Sequence, residues 1–310
     1  MKVFLAEISN ERGQYECLIS ERFTNGLMSF AYRKHAIDGW ETVWNKLMNI
    51  YLAGLPSQNE KIQSETLPQI ESHLTTYADL KEVEVKEKIF DINILPRVII
   101  DSGAFTAFTT GKVIDPKDYL EWSLSFKKRW QHKMASLEFM NLDVIGDPEG
   151  SEKNLIFLES NGLKVIPVIT YGSSKEYINR YIQKYDRLAF GGLVGFPKSK
   201  SRPWLDFCFS QVMNHYKKTG NLCRIHLLGQ TSWWALERYP CYSSDSSSWV
   251  SCLRFGQGST AGIKQIPRYK ESDGAMAATI HTLRAEIRKF KKMQDDATKL
   301  WEKRGIIFED

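Results

Sequence analysis

Short apolar runs recur along the 310-residue chain, and stretches of helical spacing separate them. The runs predict strands near Val3–Ile8, Leu27–Ala31, Arg97–Ile100, Leu137–Leu142, Lys164–Ile169, Arg187–Phe190, Leu222–Leu228 and Cys241–Ser244. Several are continuously apolar rather than alternating, which is the pattern of parallel strands covered on both faces. Between them, helical patterns run over Gly39–Ala53, Pro116–Lys128, Glu152–Ser160, Ser174–Lys184, Pro203–Lys218 and Ser232–Arg238. Eight strands in alternation with helices give the order of an α/β chain folded as a (β/α)8 TIM barrel. An open doubly wound sheet is the rival, and it would need a topological switch point.

Two stretches fall outside this alternation within a single domain spanning 1–310. Residues Leu55–Asp91 are polar and charged, and read as an insertion after the second strand. A C-terminal extension from Met276 to Arg304 reads as a long basic helix carrying Arg284, Arg288, Lys289, Lys291 and Lys292. It suits either a solvated outer helix packed on the barrel or a phosphate-contacting surface.

Composition narrows the class. Hydrophobic residues make up 42% and charged residues 25%, ordinary globular usage with enough material for a large core. Lys plus Arg is 42 and Asp plus Glu 37, so the formal charge of +5 permits a polyanionic partner without requiring one. No apolar run approaches the roughly 20 residues that span a bilayer. Met1–Ala6 meets Glu7 at once, leaving no signal-peptide core. The five cysteines, Cys17, Cys208, Cys223, Cys241 and Cys252, are scattered and odd in number, as for reduced thiols. A soluble cytoplasmic protein is expected.

In a barrel, chemistry gathers where the strands end. The third strand leads into Asp101-Ser102-Gly103-Ala104-Phe105 and the fourth into Asp143 and Asp147. The fifth leads into Thr170-Tyr171, the sixth into Gly191-Gly192-Leu193-Val194-Gly195, the seventh into Gly229, and the eighth into Asp245. Carboxylates and glycine turns would converge on one rim. Each has a plainer explanation: Asp101-Ser102 suits a helix cap, Asp143 and Asp147 suit turns, and the serine-rich stretch around Asp245 suits a loop. No dinucleotide or phosphate-binding glycine loop and no GxSxG elbow occurs. Cys223 and His226 lie three apart, with Cys241 and Cys252 beyond, but no CxxC supports a zinc site.

Taken in order, Asp101-Ser102-Gly103-Ala104-Phe105, Asp143, Gly191-Gly192-Leu193-Val194-Gly195 and His226-Leu227-Leu228-Gly229 leading to Asp245 resemble the tRNA-guanine transglycosylases. The likeness covers about Arg97 to Trp249. It implies a TIM barrel that exchanges guanine for a 7-deazaguanine. It further implies Asp101 as general acid/base, with Ser102 and Gly103 shaping the base pocket. Asp143 would read the base's Watson–Crick edge, Gly192 and Leu193 would offer backbone contacts, and Asp245 would be the nucleophile. Two features depart from that family. No glutamine stands near Thr170-Tyr171, and only Cys252 and His281 remain of the zinc subdomain. These departures, with the Ser-rich loop before Trp249, look like the branch that inserts 7-deazaguanines into DNA (DpdA-type proteins).

Such chemistry needs a carboxylate nucleophile at C1′ and an acid for the leaving base, but no metal or cofactor. The target base must leave its stack. Phe105, Phe108, Tyr171 and Trp249 are candidate stacking residues, whereas Trp233 and Trp234 are expected in the core. Lys198, Lys200, Arg202, Lys264 and Arg268 are candidate backbone contacts. The expected partners are DNA, with tRNA as the alternative, and a 7-deazaguanine base. A TIM-barrel glycosidase and a non-catalytic nucleic-acid-binding protein remain open.

Overall fold

Eight strands hydrogen-bond into one sheet in the order β4-β3-β2-β1-β8-β7-β6-β5, and every pairing between neighbours is parallel. The computed structural model describes residues 1–5, 17, 21, 25–29, 97–250 and 275–308. The strands are β1 (Lys2–Leu5), β2 (Asn25–Ser29), β3 (Arg97–Asp101), β4 (Ser136–Phe139), β5 (Val168–Thr170), β6 (Arg187–Gly191), β7 (Arg224–Leu227) and β8 (Ser243–Ser246). Helices numbered over the described residues are α1 (Ala104–Thr110), α2 (Pro116–Trp130), α3 (Pro148–Ser160), α4 (Lys175–Lys184), α5 (Lys198–Thr219), α6 (Trp233–Leu236) and α7 (Ala275–Lys303). The protein is therefore α/β, with a parallel sheet and helices alternating with strands.

Strand parity sorts the buried residues into two groups. Val3, Leu5, Val98, Ile100, Leu188, Phe190, Ile225 and Leu227 join the main core under the helices. Their neighbours one residue along, Phe4, Ile99, Val168 and Ala189, point to the opposite face and cluster with Met140 and Ile166. Among the described residues, strands and strand ends supply this second cluster. Beyond β4 the chain continues far enough for Met140 to form a parallel bridge with Ile166. There Ile166 donates its N–H to the Phe139 carbonyl at 2.7 Å, and Asn141 donates to Ile166 at 2.9 Å.

Several boundaries differ from those expected. The eighth strand is Ser243–Ser246 rather than Cys241–Ser244, so Asp245 lies within it and not beyond it. Its four small polar residues are all buried, because β1 and β7 flank the segment and take its backbone bonds. Helix α5 begins at Lys198 instead of Pro203, since a proline this near the start costs only one intrahelical bond. The helix Ala104–Thr110 was not anticipated as an element.

The C-terminal helix packs as an outer layer. Ile287, Phe290 and Ala297 are buried in the main core, and Gln294 Oε1 accepts the Val3 N–H at 2.8 Å. Its cations are largely partnered: Arg284 and Arg288 grip Glu21 at 2.7 and 2.6 Å, Lys289 pairs with Glu286, and Lys292 with Asp296. This favours the outer-helix alternative. Among the described residues, no helix is long and apolar enough to cross a membrane. The insertion 55–91, the helix Gly39–Ala53, Cys252, Lys264, Arg268 and the side chain of His281 lie outside the described residues.

Candidate active site

Lateral register shows which side chains share the face opposite the helices. Phe4 pairs with Asp245 and Ala189 with His226, which in turn pairs with Ser243. Since paired residues project to the same face, Asp245, His226 and Ser243 join Phe4 and Ala189 there. On β3, Asp101 lies two residues past Ile99 and belongs to that face too. Asp101 ends β3, and Asp245 is the penultimate residue of β8. In a parallel sheet both therefore stand at the same edge.

Asp245 is held through one oxygen. Its Oδ1 accepts the Gly229 N–H at 2.8 Å and lies 3.2 Å from His226 Nε2. Its side chain keeps 8% exposure, whereas that of His226 keeps none. The other ring nitrogen, His226 Nδ1, lies 2.8 Å from Ser243 Oγ. Gly229 can present its N–H because it adopts φ +66, where a Cβ would lie 2.8 Å from Val194 Cγ2.

Asp101 and Asp143 form a second centre. Asp101 Oδ2 accepts the Gly103 N–H at 3.1 Å, but the N-cap of α1 is Gly103, not Asp101 or Ser102. Asp143 sits in the turn after β4, which α3 anchors: Ser151 Oγ accepts from Val144 at 2.8 Å, and Asn154 Nδ2 donates to the Leu142 carbonyl at 2.9 Å. Burial, then the charge of Asp101, raises the Asp143 carboxyl to about 7. Tyr119 of α2 is buried beside both acids, and its hydroxyl donates to the Met140 carbonyl at 2.7 Å. Burial, then Asp101, pushes this phenol well up, so it remains a neutral donor.

The other expected site residues divide. Ser102 is buried, with its Oγ 3.4 Å from the Ala104 N–H. Gly192 takes φ +73, and Leu193 beside it is buried. Phe105, Phe108, Tyr171, Val194, Phe196 and Trp233 are exposed, and all follow strand ends on the edge that bears the acids. Tyr171 meets Phe196 at 4.7 Å between ring centroids. Lys198 lies 5.1 Å over Trp234, and Lys200 6.0 Å over Phe196.

Three expectations are corrected. Trp249 is fully buried in the main core, so it offers no stacking face. Trp233, expected in the core, is exposed, because α6 is a single turn too short to bury both tryptophans; Trp234 packs edge-on to Tyr239. Asp147 is the N-cap of α3, accepting the Gly150 N–H at 2.9 Å, which leaves Asp143 as the acid of that loop. Cys223 and Cys241 belong to the main core while His226 faces the other way, so they cannot share an ion with it.

The chain matches no protein-family model and no curated protein. The residues themselves must carry the functional argument. Sequence reasoning did not assign Ser243 or Tyr119 to the site; it took Gly229 only as a glycine turn of the rim and part of a motif, and His226 only as part of that motif or as a weak metal ligand. For His226 and Ser243 a signal existed: His226 lies two residues before Leu228, just past the end of β7, and Ser243 two before Asp245 on β8, the spacing that puts each pair on one face.

Proposed function

We propose that this protein is a base-exchange transglycosylase of the tRNA-guanine transglycosylase type, acting on DNA. It would replace guanine with a 7-deazaguanine through an aspartyl-glycosyl intermediate. One observation carries the reading. A buried carboxylate held through a single oxygen, Asp245, stands at the same strand edge as a mutually repelling acid pair, Asp101 and Asp143. Retaining exchange at C1′ calls for one ionised nucleophile and a separate group that carries a proton. The proposal includes closure of the sheet into a (β/α)8 barrel. The Met140–Ile166 bridge between β4 and β5 supports this, as does a second apolar cluster to which, among the described residues, no helix contributes.

In the forward step a carboxylate oxygen of Asp245 bonds to C1′. The C1′–N9 pair leaves with guanine, which takes a proton from Asp101. In the return step Asp101 accepts the N9 proton of the incoming 7-deazaguanine. That nitrogen attacks C1′, and the ester electrons return to Asp245. No net proton is gained or lost. The acid pair holds one proton between its members: when Asp101 carries it, its charge no longer resists ionisation of Asp143. The ionised Asp143 accepts hydrogen bonds from the base's N–H donors, while the buried Ser102 and the turn at Gly192-Leu193 border the ring. The exposed aromatics Phe105, Tyr171 and Phe196, with Lys200 over Phe196 and Lys198 over Trp234, suit a strand whose bases are unstacked.

The test is incubation with labelled guanine or a 7-deazaguanine in the presence of DNA or tRNA, followed by mass spectrometry of the nucleosides. Label in DNA is the expected result. Label in tRNA alone would move the substrate to tRNA. Cleavage of a sugar without an incoming base would favour the glycosidase, and binding without exchange would favour a non-catalytic protein.

A further inference from the structure

Asp245 is the buried end of a chain of polar groups that starts at the partly exposed Glu138 and crosses the face of the sheet opposite the helices. At the far end Glu138 of β4 pairs with Arg187 of β6: Arg187 Nη2 donates to Glu138 Oε2 at 2.8 Å, and Nε lies 2.6 Å from Oε1. Arg187 Nη2 also reaches Ser243 Oγ at 3.5 Å. Ser243 Oγ meets His226 Nδ1, and His226 Nε2 meets Asp245 Oδ1. Ser243 and His226 are both fully buried, so water cannot substitute for any of these partners.

The two ends of the chain set the direction of donation. A carboxylate has acceptors only, so the ring nitrogen that faces Asp245 Oδ1, Nε2, carries a proton. At the other end a guanidinium has donors only, so Ser243 Oγ accepts from Arg187 and keeps its own hydrogen for His226 Nδ1. Gly229 supplies a second N–H to the same oxygen, Oδ1. Among the described residues, Oδ2 receives no hydrogen bond.

We infer that His226 is a positioning residue: locked as its Nε2–H tautomer by Ser243 and Arg187, it pins Oδ1 of Asp245 and leaves Oδ2 as the attacking oxygen. The role assigned to Oδ2 rests on the reading of Asp245 as nucleophile, whereas the tautomer does not. Two N–H donors meet the same oxygen, so Oδ1 is held in place and Oδ2 is left facing C1′. The arrangement resembles the way an outer partner orients a reactive group by deciding which ring nitrogen holds the proton. Here the histidine takes no proton from the substrate and touches none of the reacting atoms.

Two measurements on the full chain test this. Nitrogen-15 spectra of the histidine side chains, with the His226 signals identified by their loss in His226→Gln, should show a protonated Nε2 and a bare Nδ1. A protonated Nδ1, whether Nε2 is bare or protonated too, overturns the inference, whatever reaction the protein performs. In base exchange, His226→Phe removes the donor and should lower kcat roughly 10²-fold, as a misplaced reacting group does, with KM for the incoming base unchanged. His226→Gln places an amide N–H near Nε2 and should recover most of that loss. A folded Phe variant with wild-type kcat, or a Gln variant no better than Phe, overturns the positioning role. If the wild type exchanges no base, the proposed function fails and Oδ2 loses its role, while the nitrogen spectrum still decides the tautomer.

Discussion

Asp101 and Asp143 stand close enough at the ends of adjacent strands for the charge of one to resist ionisation of the other. With burial as the larger cause, the Asp143 carboxyl rises from 3.8 to about 7. In the unfolded chain it would ionise near its ordinary value. Between pH about 4 and about 7 the folded protein therefore holds a proton that the unfolded chain has lost. Unfolding releases protons in that window, and this group makes stability fall as pH rises through it. Asp143→Asn removes the effect. Urea midpoints of variant and wild type should diverge in the variant's favour between pH 5 and pH 7.5. A constant difference would mean that Asp143 is already ionised at pH 5.

The same acid links pH to base binding. Only the ionised carboxylate offers acceptors alone to the N–H groups of guanine. Affinity for free guanine should therefore strengthen as pH rises through about 7, and Asp143→Asn should abolish that dependence. Calorimetry at pH 6 and pH 8 checks it, and equal affinities for the wild type would refute it.

Asp245 and Asp101 should fail in different ways. Asp245→Asn keeps the shape but lacks the charged nucleophile, so no glycosyl-enzyme adduct should form. Asp101→Asn leaves the nucleophile intact and impairs proton transfer, a loss of about 10²–10⁴ in rate. An adduct trapped with a better leaving base is expected from that variant. An adduct mapping to Asp143 would reverse the roles.

Exposure separates the two aromatic residues first considered together. Trp249 is fully buried in the main core, so Trp249→Ala should cost about 3–5 kcal/mol of stability. Tyr171 is 38% exposed beside Phe196, so Tyr171→Ala should change stability little. If a base stacks there, the loss should instead be about 1–3 kcal/mol of polynucleotide affinity. Denaturation and binding curves on both variants distinguish the roles, and an unstable Tyr171→Ala with full affinity would exchange them.

How much of this was legible depended on what each residue had to signal. Val98-Ile99-Ile100 reads as a strand because both faces of β3 are covered, which leaves no polar interruption. Ser243-Ser244-Asp245-Ser246 reads as a loop for the opposite reason. Its inward side chains are polar, and only the flanking strands reveal it as sheet. Asp143 and Asp147 are the same residue type in one short segment, and only the start of α3 identifies Asp147 as its cap. The contact between His226 and Asp245 depends on lateral register between β7 and β8. Periodicity along one strand carries no information about that register.

Gly192 offers the sharpest test of the turn beside the base pocket. At φ +73 an alanine would carry the strain of the left-handed region, about 1–2 kcal/mol. Its Cβ would also stand 3.1 Å from the backbone nitrogen of Tyr171, which cannot swing aside as a side chain could. That nitrogen donates to the Gly191 carbonyl at 3.0 Å, so relief of the contact would pull β5 and β6 apart where the base is expected. Gly195, at φ +83 with open space around it, supplies the control. Gly195→Ala should show the strain alone, with exchange near normal. Gly192→Ala should lose more stability, exchange the Tyr171 amide hydrogen faster, and raise KM for the incoming base. If the two variants matched in stability and in KM, neither the close approach at Tyr171 nor the role of this turn in the pocket would stand.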